Sequence, residues 1–233
     1  MVSVIIPMRD AGRTVGDTVR RVLLSSVVSE VIVVDDGSTD GSREVVEGIR
    51  DSRVRVMSSP GRGIAAAVNA GFRASTAAFV ARCDADDYRI PEALDRQHAW
   101  LKAHPEFGAV CGGFSTFSHD RGTRVVVTPD IEPLDITRDL QRGRTWTHLN
   151  TFLVRREVWD RAGPLRGWFE TAEDIDFQLR LAEQGRVWYE HGVVYEYRLS
   201  DGSITHRQAS ARRVFFENAA RHFALQRRER GAD

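Results

Sequence analysis

The chain has 233 residues, with 33 basic and 33 acidic side chains and 42% hydrophobic residues. That length suits one ordinary domain, with or without a small annex, and is enough to bury a sizeable core. Zero net charge and an ordinary apolar share exclude a polycationic nucleic-acid binder and a disordered acidic chain, and two cysteines without CxxC spacing, Cys83 and Cys111, exclude a disulfide scaffold and predict reduced thiols.

Residues 2–6 are an apolar run closed by Pro7 and read as the first strand. They have no basic n-region and no small-residue cleavage site, so a signal peptide is not expected. No uncharged run approaches the roughly 18 residues that span a bilayer, and the expected location is cytoplasmic. Val15, Val19, Val22 and Leu23 recur at helical spacing, and 31–34 reads as a second strand. Asp40 or Ser42 can cap a helix running to Arg50; 53–57 reads as a strand, 64–74 as an alanine-rich helix and 78–81 as a fourth strand ending at Cys83-Asp84. This alternation predicts βαβ units on a mostly parallel sheet with helices on both faces, an α/β fold. Ligands of such sheets sit beyond the carboxyl ends of the strands, where residues 7–12, 35–40 and 84–87 fall.

The second half is less regular. A helix is expected over 91–103, extended chain over 107–114 and 123–128, a break at 129–133 and a strand over 147–154. A helix over 173–184 stops at Gly185, and two strands, 187–189 and 193–197, flank a turn at His191-Gly192. Residues 205–228 read as a long amphipathic helix with Val214, Phe215, Ala219, His222 and Phe223 on one face. Seven arginines against Glu217, Glu229 and Asp233 give the segment from Thr205 onward a net charge of +4. The expected organisation is one domain over 1–204 with a C-terminal helix and basic tail over 205–233. The apolar face of that helix can pack on its own domain, which is the plainer reading, or on a second subunit or the inner face of a membrane.

Four segments carry candidate chemistry. Asp84-Ala-Asp86-Asp87 places three carboxylates within four residues at a strand end, where a hard cation such as Mg²⁺ or Mn²⁺ would relieve their repulsion. The bland alternative is that Asp86 or Asp87 caps the helix beginning near Pro91. In Val33-Val-Asp-Asp-Gly-Ser-Thr-Asp40, a strand-end carboxylate can accept hydrogen bonds from a base or ribose, or the segment simply caps the next helix. Gly61-Arg-Gly63-Ile-Ala-Ala66 formally matches a dinucleotide-binding GxGxxA, but Ser58-Ser59-Pro60 separates it from its strand. A turn feeding a helix, with Arg62 near phosphate, is the favoured reading. Thr171-Ala-Glu-Asp-Ile-Asp-Phe177 opens a helix, where the dipole stabilises carboxylates and one of them can act as a general base. The histidines are too scattered to form a metal motif.

Taken in order, Val2-Ser-Val-Ile-Ile-Pro7, Val34-Asp-Asp-Gly-Ser-Thr-Asp40, Gly63-Ile-Ala-Ala-Ala-Val-Asn-Ala-Gly71, Ala81-Arg-Cys-Asp-Ala-Asp-Asp87 and Glu173-Asp-Ile-Asp-Phe-Gln-Leu-Arg-Leu181 resemble a family 2 glycosyltransferase of the GT-A fold. The resemblance covers residues 2 to about 205. It implies an inverting transfer of sugar from a nucleotide-sugar, UDP-linked by preference, to a hydroxyl of a glycan or lipid-linked acceptor. It further implies that Asp36 faces the base with Pro7 lining its pocket, that Asp84 contacts ribose or metal, and that Asp86 is the principal ligand of Mn²⁺ or Mg²⁺. Asp174 would be the general base, with Glu173 the lesser candidate for that role, and His148 and Glu173 would stand near the acceptor. Two departures stand out. Met8-Arg9-Asp10 replaces the usual aromatic and asparagine, which leaves the nucleotide open. Arg198-Leu-Ser200 replaces Arg-x-His, so that Asp201, His206 or water would fill the histidine's place on the metal. The competing readings are a dinucleotide-dependent oxidoreductase, a sugar nucleotidyltransferase and a non-catalytic nucleotide-sugar-binding relative.

Overall fold

The computed structural model describes residues 1–118, 123–127, 131–199 and 211–230. Four short runs rich in β-branched residues form one half of a single sheet: Val2–Met8 (β1), Val28–Asp35 (β2), Val54–Ser58 (β3) and Phe79–Arg82 (β4). They pair in parallel in the order β3-β2-β1-β4. β1 and β4 are buried along their whole length, as strands covered on both faces must be. Alternate side chains of β1 enter opposite cores, Val4 and Ile6 on one face with Val19 and Val33, and Ile5 on the other with Ile32, Val34 and Val68.

The crossovers are the helices Val15–Val22 (α1), Ser42–Glu47 (α2) and Ile64–Ala74 (α3). α2 is shorter than expected and neither Asp40 nor Ser42 caps it; Gly41 is its N-cap, with φ 82°. Asp40 instead accepts the N–H groups of Ser42 at 3.1 Å and Gly12 at 2.9 Å, tying the loop after β1 to the loop after β2. α3 lies close on the sheet at Gly71, where an added Cβ would stand 2.5 Å from Ile5 Cγ2 and 3.1 Å from Val34 Cγ2. Gly71→Ala is expected to cost about 1–3 kcal/mol, read as a lower urea midpoint.

Glu30 locks the start of this half-sheet. Its carboxylate accepts Ser3 Oγ, Thr76 N–H and Oγ, and Ala77 N–H, and it pairs with Arg55 at 3.1 Å. Burial pushes its pKa up, but these hydrogen bonds outweigh burial and hold it at about 2. A carboxylate depressed from its ordinary 4.5 stabilises the fold above that value, and the contribution disappears as pH falls toward 2. Glu30→Gln should therefore lose about 1–3 kcal/mol at neutral pH. In a pH series of denaturant melts, the variant and parent curves should converge near pH 2.

The other half of the sheet is mixed. Leu153–Arg155 (β9) runs antiparallel to β4 and to Phe107–Ser118 (β6). β6 runs parallel to Arg186–Arg198 (β10), which is antiparallel to the short Tyr88–Arg89 (β5). Thr123–Val126 (β7) adds to β6 and Leu134–Asp135 (β8) to β10. The helices here are Pro91–Ala103 (α4), Thr137–Gln141 (α5), Arg156–Ala162 (α6), Glu173–Gln184 (α7) and Ala211–Arg230 (α8).

Three expectations are corrected in this half. Residues 147–154 are not one strand, because Leu149–Thr151 form a 3-10 turn. The turn directs the carbonyls of Asn150 and Thr151 onto Arg89 Nη1 and Nη2 at 2.5 and 3.5 Å. Arg89 is 1% exposed and also bonds Gln97; burial lowers its pKa to about 10. Residues 187–197 are not a hairpin either. They belong to the single strand β10, which absorbs His191-Gly192 as an irregularity in register between Tyr189 and Val193.

The third correction concerns α8. Its buried seam is Phe216, Ala220 and Ala224, packed with Phe169, Ala172, Ile175 and Leu179. Val214 and Phe215 are each 58% exposed, while Ala219 and Phe223 sit at the edge of the seam. The inward face is thus rotated by one residue from the expected one and is covered by the chain's own α7. Residues 205–210 lie outside the described residues. Among those described, no helix is long and apolar enough to cross a membrane.

Candidate active site

The carboxyl ends of β1, β2 and β4 open on one side of the sheet, and the acidic loops gather there. At the end of β2, the Asp36 N–H donates to the Met8 carbonyl at 2.8 Å. Its carboxylate accepts the Gly63 N–H at 2.9 Å and faces Arg9 at 3.8 Å. Gly63, at φ 93°, is the N-cap of α3. The glycine turn at 61–63 is therefore fastened to the end of β2 as a turn feeding a helix, with the Gly63 N–H already engaged. Arg62 is exposed beside it, and Pro7 is buried in β1 opposite Val34.

β4 ends in Arg82, which is 5% exposed. Its Nε donates to Asp84 Oδ1 at 2.9 Å and its Nη1 lies 3.5 Å from Glu173 Oε1. The Asp84 Oδ2 accepts Asn150 Nδ2 at 2.8 Å, and the Asp84 N–H donates to the Tyr195 hydroxyl at 3.0 Å. That hydroxyl donates onward to Asp87 Oδ2 at 2.9 Å, and Asp87 Oδ1 accepts the Arg198 N–H at 2.7 Å. From below, Thr18 of α1 donates to the carbonyls of Ala85 and Asp87. Asp87 thus holds the loop in place and caps nothing; α4 has Ile90 as its N-cap and no side-chain cap.

Asp86 differs from its neighbours. Its carboxylate receives no hydrogen bond from another described residue, while its carbonyl accepts Arg198 Nε at 2.6 Å. Burial and the charge of Asp84 push the Asp86 pKa up, and the same causes, with Asp86 itself, push Asp87 well up. Desolvation and like charge both disfavour the ionised carboxylates here, and the nearby Arg198 only partly opposes them for Asp86. Nearby, Asn150 Oδ1 is buried with no hydrogen-bond partner. Among the described residues, no group of three His, Cys, Asp or Glu side chains is placed to hold a metal. The chain offers two carboxylates, one free and one already braced, which fits a hard cation that takes its other oxygens from a diphosphate and water. Ser200, Asp201 and His206, considered above as completing ligands, lie outside the described residues.

α7 opens at Ala172, a non-glycine residue with φ 63°, which turns the chain into its first helical residues. Glu173 is 7% exposed; burial raises its pKa to about 7, with Asp174 adding to the rise and Arg82 opposing it. Asp174 is half-buried, and its carboxylate makes no hydrogen bond or ion pair with a described residue. Asp176 is fully buried and paired with Arg180 at 2.8 Å and Arg166 at 3.6 Å. His148 sits at the start of the 3-10 turn, edge-on to Phe114 at 4.6 Å and parallel to Tyr197 at 6.3 Å.

Arg82 thus joins Asp84 to Glu173, with Asp86 and Asp174 adjoining in sequence, and Asn150 brings the turn that carries His148 onto Asp84. Asp36, Arg62 and Pro7 belong to the neighbouring strand ends. Arg82, Asn150, Tyr195 and Arg198 were not singled out as site residues from the sequence. A lone arginine inside an apolar strand just before an acidic loop is a detectable signal for the first, and Arg198 stands in the segment that replaces Arg-x-His, whereas nothing local marks Asn150 or Tyr195.

This architecture is that of the GT-A glycosyltransferases. It superposes on Staphylococcus aureus TarS, solved in complex with UDP-GlcNAc, with a TM-score of 0.75 at 20% identity, covering 90% of this chain and 61% of that one. It also superposes on the mannosyltransferase PcManGT from Pyrobaculum calidifontis, solved with GDP-Man and Mn²⁺, with a TM-score of 0.70 at 23% identity, covering 100% and 65%. Residues 3–172 match the family model described as glycosyl transferase family 2, and the chain belongs to that family. A relative in Bacillus subtilis (strain 168), named as the uncharacterized glycosyltransferase EpsJ, is 30% identical over 221 residues, which cover 88% of this chain and 63% of EpsJ. The chain therefore spans less than two thirds of the length of EpsJ and of these solved chains. The family match ends at Ala172, immediately before Glu173 and Asp174.

Proposed function

We propose that the chain is an inverting glycosyltransferase that moves a sugar from a nucleotide-sugar, UDP-linked by preference, to a hydroxyl of a glycan or lipid-linked acceptor. The observation that carries this reading is the pair of uncommitted carboxylates, Asp86 on the loop after β4 and Asp174 at the start of α7, with Arg82 bridging the residues beside them. In this reading Asp36 faces the base, Pro7 lines its pocket, Arg62 stands near phosphate and Asp84 meets the ribose. Mg²⁺ or Mn²⁺ would be held by Asp86 with help from Asp84, and when bound it neutralises charge on the departing diphosphate.

Asp174 takes the proton of the acceptor hydroxyl as that oxygen attacks the anomeric carbon. The bond from that carbon to the diphosphate oxygen breaks on the opposite face, and a single displacement inverts the configuration. Glu173, ion-paired and buried, orients Arg82 rather than accepting the proton, and His148 flanks the acceptor side. Residues 1–204 form the transferase core, with α8 as an annex folded onto it. A contact of α8 with a second copy or a membrane would use its outer face.

The test is a panel of UDP- and GDP-sugars titrated with and without Mn²⁺, followed by product analysis. Binding that requires Mn²⁺, with sugar transfer or slow donor hydrolysis, is the expected result. Binding without turnover would make the chain a nucleotide-sugar-binding relative. Cation-independent binding of NAD(H), with no nucleotide-sugar bound, would sink the reading.

A further inference from the structure

We propose that the groove between the end of α5 and α8 is a phosphate-binding site, sharing no residue with the carboxylate cluster. It is a half-open concavity of about 270 Å³ lined by Arg142, Arg221, His222, Leu225 and Arg228, with the buried Ala224 at its floor. Residues 221, 224, 225 and 228 fall at the spacing that puts side chains on one face of a helix. Three guanidiniums and an imidazole meet there, and no carboxylate is among the groove's lining residues.

Two of the guanidiniums are held in place by protein carbonyls. Arg221 Nε donates to the Gly143 carbonyl at 3.1 Å and its Nη1 to Glu217 at 3.4 Å; Arg228 Nη1 donates to the Gln141 carbonyl at 3.2 Å. An arginine carries five N–H donors, so each fork keeps donors for a ligand after these bonds are made. Capping of the α5 carbonyls accounts for the bonds already made, but not for Arg142 or His222 on the same groove. Preset forks around a small concavity suit a tetrahedral oxyanion, which they can grip in bidentate fashion. The volume accommodates a phosphodiester or diphosphate, and Leu225, 47% exposed, offers apolar surface to an ester chain beside the phosphate.

The probe is inorganic pyrophosphate, titrated calorimetrically into the full chain in EDTA, where a donor site that needs a cation is silent. Saturable binding that weakens with added salt is expected, and Arg142→Gln with Arg228→Gln should reduce the affinity about tenfold or more. Both residues are exposed, and circular dichroism checks that the variant keeps its fold. Co-sedimentation with phosphatidylcholine vesicles, with and without phosphatidylglycerol, identifies the source. Capture by the anionic vesicles that pyrophosphate reverses assigns the site to a lipid headgroup, and pyrophosphate binding without capture assigns it to a phosphate carried by a soluble ligand. No pyrophosphate binding by the parent in EDTA, or equal binding by parent and double variant, overturns the site. Neither result bears on the Mn²⁺-dependent donor binding tested above.

Discussion

Asp174→Asn should lower sugar transfer by about 10²–10⁴-fold while leaving nucleotide-sugar affinity close to that of the parent. The first turn of α7 carries three carboxylates, and their surroundings separate their roles. Asp176 is fully buried against Arg180, and Glu173 is 7% exposed and paired with Arg82. Asp174 alone is both reachable and uncommitted among described residues. Asparagine keeps its shape but cannot take a proton. Because the lost function is proton transfer, the deficit should appear in kcat with little change in the donor dissociation constant. Glu173→Gln is the matched control and should cost less, since it removes an ion pair rather than the base. Full turnover in Asp174→Asn, or a heavier loss in Glu173→Gln, would move the base elsewhere.

Asp86→Ala should abolish the Mn²⁺-dependent part of nucleotide-sugar affinity, a loss of about 100-fold or about 3 kcal/mol. The size of the effect follows from the state of the carboxylate. Asp84 has both oxygens braced, by Arg82 and Asn150, whereas the Asp86 carboxylate accepts no hydrogen bond from a described neighbour. Its alanine variant gives up little that holds the fold together, so its melting temperature should not fall. Asp84→Ala would instead break two contacts that position Arg82 and the 3-10 turn, and should lower both affinity and stability. Equal Mn²⁺ dependence in parent and Asp86→Ala, measured calorimetrically, would rule out this residue as the cation's holder.

The parallel half of the sheet was legible because β-branched runs alternate with helical spacing from Val2 to Arg82, and local periodicity suffices for such units. α7 was legible to its boundaries, because an acidic first turn and Gly185 mark both ends. The strand expected over 147–154 failed for a non-local reason: Arg89, some sixty residues earlier, draws the carbonyls of Asn150 and Thr151 inward and bends the chain. The inward face of α8 was misread because Phe215, Phe216 and Phe223 fit two overlapping stripes, and only the partner surface of Phe169 and Ile175 selects between them. Among the site residues, the acids announced themselves by clustering. Their supports did not, since Tyr195 and Arg198 meet Asp87 only across the finished sheet.

That last contact bears on the order of folding. Asp87 is closed in by groups 108 and 111 residues further along the chain. A nascent chain that has emerged only through α4 can form its βαβ pairs, yet it holds Asp87 with neither the Tyr195 hydroxyl nor the Arg198 amide. Long-range closures of this kind come late, because the loop entropy must be spent before the contact forms. The carboxylate loop should thus stay open to water until β10 inserts beside β6, and acquisition of nucleotide-binding competence should trail the appearance of helical signal in refolding.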